Sequence, residues 1–222
     1  MNKVLVVAAH MDDETLGAGG TIMKHLHQGD SVTVCIACKR AYDHRFDPVK
    51  VEEEKQSARA AAKILGVQDL RFLDLEDERL DQGILPLLVP LEECLQQIKP
   101  DILYTHHRAD VNQDHRAVFE AAWIACRATG PFPVSRFLCY EVLSSTDQVP
   151  PVPEAAFQPN FYVEIAPFLD RKVQAMKAYA RELRTFPHPR SVEGIQTLAR
   201  KRGMEIGCNA AEAFQLLRDR WV

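Results

Sequence analysis

Short apolar runs alternate along this chain with longer segments in which apolar residues recur every three or four positions. The runs, made largely of Val, Ile and Leu, are "KVLVVAA", "SVTVCIAC", "LRFLDL", "DILYTH" and "RFLCYEVL". Runs that are apolar on both faces are typical of parallel strands covered by helices on both sides. The pattern therefore predicts an α/β fold with a Rossmann-like, doubly wound, mostly parallel sheet and a small C-terminal elaboration.

The amphipathic segments between the runs predict helices. We expect them at 15–29, 51–66, 83–98, from Asp114 to about Ala128, from about Phe168 to Arg184, and at 192–203. A later strand is expected at 161–165, and a last apolar stretch covers 211–218. Residues 144–160 hold four of the thirteen prolines and predict a long surface loop that forms a rim on the substrate side.

The length of 222 residues and the hydrophobic content of 46% suit one substantial core. We therefore expect a single domain over 1–222. Its Rossmann-like core covers 1–143, and the rim loop and C-terminal elements cover 144–222.

The charge balance bears on the partners. A net charge of -4 and a pI near 6.1, with no basic stripe, argue against a nucleic-acid partner and favour small molecules.

The first apolar run is too short for a signal peptide, and no later run approaches the ~18 apolar residues of a membrane span. These observations predict a cytoplasmic protein without a membrane span.

Histidines and acids follow two of the predicted strands. His10, Asp12 and Asp13 come after the first. The fourth ends at His106 and His107 and is followed by Asp110, Asn112, Asp114 and His115. In a doubly wound sheet these two strands are neighbours at the point where strand order reverses, and ligands bind outside their carboxyl ends. The fold is therefore expected to bring both groups to one site.

Two imidazoles and one carboxylate with open positions favour a catalytic transition metal, with zinc or iron as the occupant. His10, Asp13 and His115 can supply these ligands, and Asp12 then lies beside the metal, free to take a proton from bound water.

A dinucleotide site does not fit the same turn. Gly17, Gly19 and Gly20 do not form GxGxxG directly after the strand, and the acids at the helix entrance repel a pyrophosphate. These glycines are expected to let the helix approach the sheet or a ligand closely.

The chain resembles the PIG-L/LmbE-like N-deacetylases, whose hallmarks are AHPDDE after the first strand and HPDH after the fourth. The matching stretches here are "AHMDDE" and "NQDH", and softer similarity extends over "FLDLEDERLD", "PHPRS" and "LARKRGMEIGCNAAEAF". The resemblance implies a zinc-dependent amidohydrolase that removes an acetyl group from an N-acetylated amino sugar, similar to N-acetylglucosamine and free, nucleotide-linked or attached to an aglycone. It also implies homo-oligomers, and Fe²⁺ is the alternative metal.

Carried over by position, the resemblance implies that His10, Asp13 and His115 bind the metal. It gives Asp12 the role of general base and Asp114 the role of an acid that orients its neighbours.

Two positions depart from the family pattern. Met11 replaces a proline, which removes no chemical group, and Asn112 replaces a histidine that stabilises the oxyanion in many members. An asparagine amide donates a hydrogen bond but carries no positive charge. Either Asn112 fills this catalytic role or one of His106, His107 and His188 does.

Candidate substrate contacts are cations and histidines near the predicted rim, because a phosphate-linked sugar requires guanidinium groups. They are Arg45, His107, Arg108, His188 and Arg190.

Two other classes of function stay open. A metallophosphoesterase also uses His/Asp clusters, but it needs two metals and about six or more ligands. A non-catalytic binding protein that retains its metal has no use for the unligated Asp12.

Overall fold

The computed structural model describes residues 1–41 and 44–221, and within them seven strands form one sheet. The strands are β1 (Lys3–Ala8), β2 (Ser31–Lys39), β3 (Asp69–Glu76), β4 (Ile102–His106), β5 (Arg136–Tyr140), β6 (Phe161–Glu164) and β7 (Ala211–Asp219). The order is β3-β2-β1-β4-β5-β7-β6. Strands β1 to β5 pair in parallel, whereas β7 runs antiparallel to β5 and β6. The predicted α/β, mostly parallel fold is confirmed.

Helices cover both faces of the sheet. They are α1 (Asp13–His27), α2 (Pro48–Leu65), α3 (Leu85–Ile98), α4 (Gln113–Ala125), α5 (Leu169–Ala178) and α6 (Val192–Ile206). Residues of α1, α2, α5 and α6 belong to one core cluster, and residues of α3 and α4 to the other. No helix among residues 1–41 and 44–221 is both long and apolar enough to cross a membrane.

Strand β1 shows why the predicted runs are apolar throughout. Val4 and Val6 pack into one cluster, Leu5 and Val7 into the other, and all four side chains are buried. Side chains alternate between the two faces of a strand, and both faces of this sheet are covered, so every position is apolar.

The carboxyl ends of β1 and β4 define the candidate site. β1 pairs with β2 on one side and with β4 on the other, so strand order reverses between β1 and β4. The crossovers leave these two strands in opposite directions, and the end of the sheet opens as a crevice there. His10 follows β1, and α4 follows β4.

Two predicted segments differ from the structure. α5 ends at Ala178 rather than Arg184, because the chain turns at Tyr179 and brings the Glu182 carboxylate against the guanidinium of Arg190. Ser145 and Thr146, within the predicted surface loop, are buried, because their hydroxyls donate to the carboxylate of Asp110.

Glycines allow α1 to lie close to the sheet and its flanking segment. A Cβ at Gly17 would lie 2.3 Å from Cδ2 of Tyr140, and a Cβ at Gly20 would lie 2.7 Å from Cβ of Ile165. Both neighbours are buried, so neither has room to move aside.

A buried ion pair ties α1 to α5 and β7. Nζ of Lys172 lies 2.6 Å from Oε1 of Glu212, and both residues are 5% exposed. The Glu212 carboxylate accepts hydrogen bonds from the backbone N–H groups of Gly20 and Thr21, at 2.8 and 2.7 Å. Nζ of Lys172 also donates to the Leu16 carbonyl at 2.8 Å. The pair therefore holds residues 16–21 of α1 against α5 and β7.

Candidate active site

Three side chains predicted as metal ligands meet where β1 passes into α1. His10 lies in the turn after β1, Asp13 is the first residue of α1, and His115 lies in the first turn of α4. Nδ1 of His10, Oδ2 of Asp13 and Nε2 of His115 form a triangle in which each pair of atoms is 3.2 Å apart. All three residues are buried.

The triangle fits a metal ion such as zinc. A tetrahedral ion with N and O ligands at about 2.0–2.1 Å places its ligand atoms roughly 3.3 Å apart. Oδ1 of Asp13 is buried and has no hydrogen-bond partner within the described part of the chain. Three protein ligands leave a fourth position open, which is the arrangement of a catalytic zinc site rather than a structural one.

Carboxylates hold the outer nitrogen of each imidazole. Nε2 of His10 lies 3.0 Å from Oδ1 of Asp77 and 3.2 Å from Oδ2 of Asp114. Nδ1 of His115 lies 3.2 Å from Oδ1 of Asp110. Carboxylate partners of this kind fix the orientation of ligating imidazoles and raise their basicity. Burial lowers the pKa of His10, but the surrounding carboxylates outweigh it and hold that pKa well above its usual value.

Asp77 was not predicted from the sequence as a site residue, and Asp110 was placed near the site without a role. Each lies just beyond a strand, Asp77 after β3 and Asp110 after β4. An acid at the carboxyl end of a strand was the sequence signal that could have found them. The sequence does not show which imidazole each acid contacts, because that depends on how distant parts of the chain pack together.

Asp12 has an unusual backbone and a buried carboxyl. Its φ is 135° and its ψ is -27°, a conformation that L residues rarely adopt and that is typical of functional sites. The Glu14 carboxylate accepts from the Asp12 N–H at 3.2 Å. Oδ2 of Asp12 lies 3.0 Å from Nη1 of Arg190, and Oδ1 has no partner within the described part of the chain. Burial raises the pKa of Asp12 to about 7 against the opposing effect of Arg190, which suits proton transfer near neutrality.

Two further charged residues, Arg40 and Glu182, lie near this carboxyl, and neither was predicted from the sequence. Oε2 of Glu182 lies 2.9 Å from Nη1 of Arg190 and 3.3 Å from Nη2 of Arg40. Arg190, predicted as a substrate contact, does reach the cavity, but its guanidinium is bound to Asp12 and Glu182. Glu182 therefore keeps Arg190 in place beside Asp12.

Asn112 is the N-cap residue of α4. Its Oδ1 accepts hydrogen bonds from the backbone N–H groups of Asp114 at 2.8 Å and His115 at 3.4 Å. Capping uses only the oxygen of the amide. The Nδ2 group makes no hydrogen bond to any described residue, and Asn112 lines the cavity, so this N–H₂ group is available to a ligand.

The three histidines considered in place of Asn112 do not line the cavity. His106 is fully buried behind His115, with ring centroids 3.9 Å apart, and its Nε2 accepts from the Ala9 N–H. His107 is not in the described lining of the cavity, and both its ring nitrogens are hydrogen-bonded, to Oε1 of Gln215 and to the Ala155 carbonyl. His188 is exposed, and its Nδ1 accepts from the backbone N–H of Arg190.

Two predicted substrate contacts lie elsewhere. Arg108 donates to the Glu154 carbonyl at 2.7 Å, and Arg45 is exposed. Neither belongs to the described lining of the cavity.

A cavity of about 540 Å³ adjoins the triangle, and His10 is the ligand that lines it. Apart from Ala41, the described residues that line it are polar or charged: His10, Arg40, His44, Asp77, Glu78, Asn112, Gln113, Asp114 and Arg190. Such a wall suits a hydrophilic ligand with many hydroxyl groups, and it offers little surface to an apolar one.

A second group of possible ligands shares His10. Cys38 and Asp114 also lie close enough to bind a metal with it. Both oxygens of Asp114 already accept hydrogen bonds, from the backbone N–H groups of Glu78 at 2.8 Å and Leu80 at 3.3 Å, whereas Oδ1 of Asp13 has no partner within the described part of the chain. The triangle of His10, Asp13 and His115 is therefore the better candidate.

Comparison with known proteins decides the family. Residues 5–126 match the model of the family PIG-L, described as GlcNAc-PI de-N-acetylase. The chain belongs to the PIG-L family. This PIG-L protein is 29% identical over 169 residues to the Uncharacterized deacetylase YaiS of Escherichia coli (strain K12), covering 73% of this chain and 86% of that protein.

Two other similarities cover most of the PIG-L protein. The Probable N-acetyl-alpha-D-glucosaminyl L-malate deacetylase 2 of Bacillus subtilis (strain 168) is 27% identical over 187 residues, which are 79% of this chain and 81% of that protein. The crystal structure of the conserved protein TT1542 from Thermus thermophilus superimposes with a TM-score of 0.80 at 27% identity, over 100% of this chain and 98% of that one.

One relative carries a different reaction in its name. The 4-oxalmesaconate hydratase of Pseudomonas putida is 26% identical over 193 residues, which are 80% of this chain and 73% of that protein. The names of proteins similar to this chain therefore include two reactions, hydration and deacetylation.

Proposed function

We propose that this PIG-L protein is a metal-dependent N-deacetylase that removes the acetyl group from an N-acetylated amino sugar related to N-acetylglucosamine. The observation that carries the proposal is the 3.2 Å triangle of His10, Asp13 and His115. The neighbouring Asp12 has a carboxyl oxygen without a partner among the described residues, and His10 and Arg190 line a polar cavity. The family description and the names of the deacetylase relatives support the same reaction.

His10, Asp13 and His115 would hold the metal, which we propose to be zinc, with Fe²⁺ as the alternative that accepts the same ligands. When bound, the metal supplies a Lewis acid that polarises the amide carbonyl and lowers the pKa of a coordinated water.

Asp12 moves the proton in this proposal. Its Oδ1 accepts a proton from water as the water oxygen bonds to the carbonyl carbon. The same carboxyl then gives that proton to the sugar nitrogen as the C–N bond breaks, and acetate and the free amine leave. Arg190 holds Oδ2 of Asp12 and so keeps the other oxygen turned toward the reacting atoms.

Asn112 and Asp114 have supporting roles. The Nδ2 group of Asn112 donates to the carbonyl oxygen as negative charge develops on it. Asp114 is a positioning residue, because its carboxylate binds Nε2 of His10 and also accepts from the backbone N–H of Glu78.

The substrate class follows from the cavity wall and from the relatives. A wall with two arginines, two histidines and several carboxylates and amides suits the hydroxyls of a sugar and a hydrophilic attached group. We propose Arg190 as a substrate contact at this wall. Arg45, His107, Arg108 and His188 take part only if the substrate extends beyond the described cavity.

The two alternatives kept open by the sequence receive less support. Within the described residues, the groups able to hold a metal share His10, so they provide for one ion at a time, whereas a two-metal phosphoesterase needs separate ligands for both. A binding protein has no need for the strained backbone and raised pKa of Asp12.

Acetate release by an Asp12→Asn variant tests the proposal. Wild-type protein is expected to release acetate from at least one of N-acetylglucosamine, its nucleotide-linked form and its glycoside with a hydroxy acid. Asp12→Asn removes the proton acceptor and keeps the size of the side chain, so activity should fall about 10²–10⁴-fold with metal content unchanged.

Asp81→Asn is the matched control, because Asp81 is exposed and lies outside the site. Full acetate release by Asp12→Asn would remove Asp12 from the role of base. Hydration of an unsaturated dicarboxylate, without acetate release from any of these sugars, would replace the proposed reaction by that of the hydratase relative.

A further inference from the structure

A second cavity of about 220 Å³ lies between the C-terminal half of α1 and the sheet. Its described lining consists of Thr21, Lys24, His25, Gln28, Tyr104, Arg136, Phe161, Tyr162 and Val163. This lining shares no residue with that of the catalytic cavity. His25 stands twelve residues after Asp13 on the same helix, which is about 18 Å along its axis. The two cavities are therefore separate sites.

The hydroxyl of Thr21 is the first sign of a ligand. Thr21 is 1% exposed, and its Oγ1 has no hydrogen-bond partner within the described part of the chain. A threonine inside a helix commonly bonds back to a carbonyl of the preceding turn, and this one does not. A buried hydroxyl without a partner is unfavourable, and a ligand oxygen in the adjoining cavity would supply the missing hydrogen bond.

Two cations, Lys24 and Arg136, line the same cavity as this hydroxyl. Nζ of Lys24 donates to the Glu164 carbonyl at 3.1 Å, and no ion pair with a carboxylate is found for it within the described residues. Arg136 pairs with Asp219 through Nε and Nη2, and its guanidinium lies over the ring of Phe161 at 5.5 Å. A lysine in the last turn of a helix is also favoured by the helix dipole, but the dipole does not explain the unpaired hydroxyl of Thr21.

A chain of hydrogen bonds makes the inner wall rigid. Nδ1 of His25 lies 2.8 Å from Oδ2 of Asp30, and Nε2 lies 2.9 Å from the hydroxyl of Tyr104. Because a carboxylate only accepts, Nδ1 donates to Asp30. The Tyr104 ring also packs edge-on against Phe214 at 5.0 Å. The wall is thus formed before any ligand arrives.

We propose that this cavity is a second binding site, independent of the deacetylase centre, for a small molecule that joins an oxyanion to a flat apolar group. Thr21 and Lys24 bind the oxyanion, which is a carboxylate or a phosphate, and Phe161 covers the flat group. The cavity is smaller than the roughly 300–1,000 Å³ of pockets for drug-sized ligands, so an aromatic acid is of suitable size.

Calorimetric titration of the metal-loaded protein with benzoate and, separately, with inorganic phosphate tests this site. Saturable binding of benzoate with one site per chain is expected, with phosphate weaker because it lacks the flat group. Thr21→Val keeps the shape of the side chain and removes the hydroxyl, and Lys24→Ala removes the charge. Each is expected to weaken benzoate binding about tenfold or more.

Two controls make the result specific. Lys63→Ala removes an exposed lysine from the last turn of α2, as Lys24→Ala does from α1, and should leave binding unchanged. His115→Ala distinguishes the two sites. Benzoate bound by the proposed metal would be lost in this variant, whereas benzoate bound in the second cavity should be unaffected. No saturable binding of either anion, or binding that survives in Lys24→Ala and disappears in His115→Ala, would overturn the proposal.

Discussion

At the scale of single residues, the turn after β1 separates metal binding from proton transfer. His10 and Asp13 direct atoms into the triangle, while the left-handed backbone of Asp12 turns its carboxyl toward Arg190 and the cavity wall. Glu14 stabilises this conformation by accepting from the Asp12 N–H, and its own carboxylate accepts from the Tyr179 hydroxyl at 2.8 Å. All four residues of the turn from Asp12 to Thr15 are buried.

One substitution at Asn112 separates its role in capping α4 from its proposed role in catalysis. Aspartate caps helices as well as asparagine does but has no N–H₂ group, so Asn112→Asp should change the free energy of unfolding by less than about 0.5 kcal/mol. It should lower kcat about 10²-fold, because the oxyanion loses its donor. Urea denaturation and acetate-release kinetics measure the two effects.

Asn112→Ala serves as the comparison, because it loses both functions and should also destabilise the protein by about 1 kcal/mol. Full activity of both variants would show that another group stabilises the oxyanion.

At the scale of elements, the position of α1 depends on the Lys172–Glu212 pair. Lys172→Met leaves the Glu212 carboxylate buried without its cation, and such a loss typically destabilises a protein by about 3–5 kcal/mol. Chemical denaturation should show this change in the free energy of unfolding. The double variant with Glu212→Gln should recover part of it, because no charge is then left unpaired.

Lys201→Met is the matched control. Lys201 pairs with Glu205 four residues later on α6, where its side chain is 54% exposed. Exposed pairs contribute less than about 1 kcal/mol, so this variant should be nearly as stable as the wild type. Equal losses in Lys172→Met and Lys201→Met would show that the buried pair does not hold α1.

The elements also show what the sequence can predict. Strands β1 to β5 and the helices between them were predicted, because apolar runs and helical periodicity are local signals. The end of α5 was not predicted, because it depends on the ion pairs of Glu182. One of its partners, Arg40, is far away in the chain, and the other, Arg190, lies across a turn. The ligand triangle was expected because family motifs mark it, whereas the partners Asp77 and Asp110 depend on tertiary register.

At the scale of the whole molecule, the site concentrates buried acids at one edge of the sheet. They are Asp12, Asp13, Asp77, Asp110 and Asp114. An ion that binds the folded chain and not the unfolded one stabilises it by about 3–4 kcal/mol at 100–1,000 times its dissociation constant. Removing the metal with a chelator should therefore lower the Tm of the wild type by several degrees.

His115→Ala provides the control for this prediction, since a variant without the metal site should have the same Tm with and without chelator. A chelator that leaves the Tm of the wild type unchanged would argue against a metal bound specifically by the folded chain.

We propose that His10, Asp13 and His115 hold one metal ion beside the base Asp12, and the metal content of purified protein measures this. One ion per chain is expected in the wild type and in His27→Ala, which removes an exposed histidine at the end of α1. His115→Ala should lose nearly all metal. Two tightly bound ions per chain, or one ion retained in His115→Ala, would rule out this single-metal site.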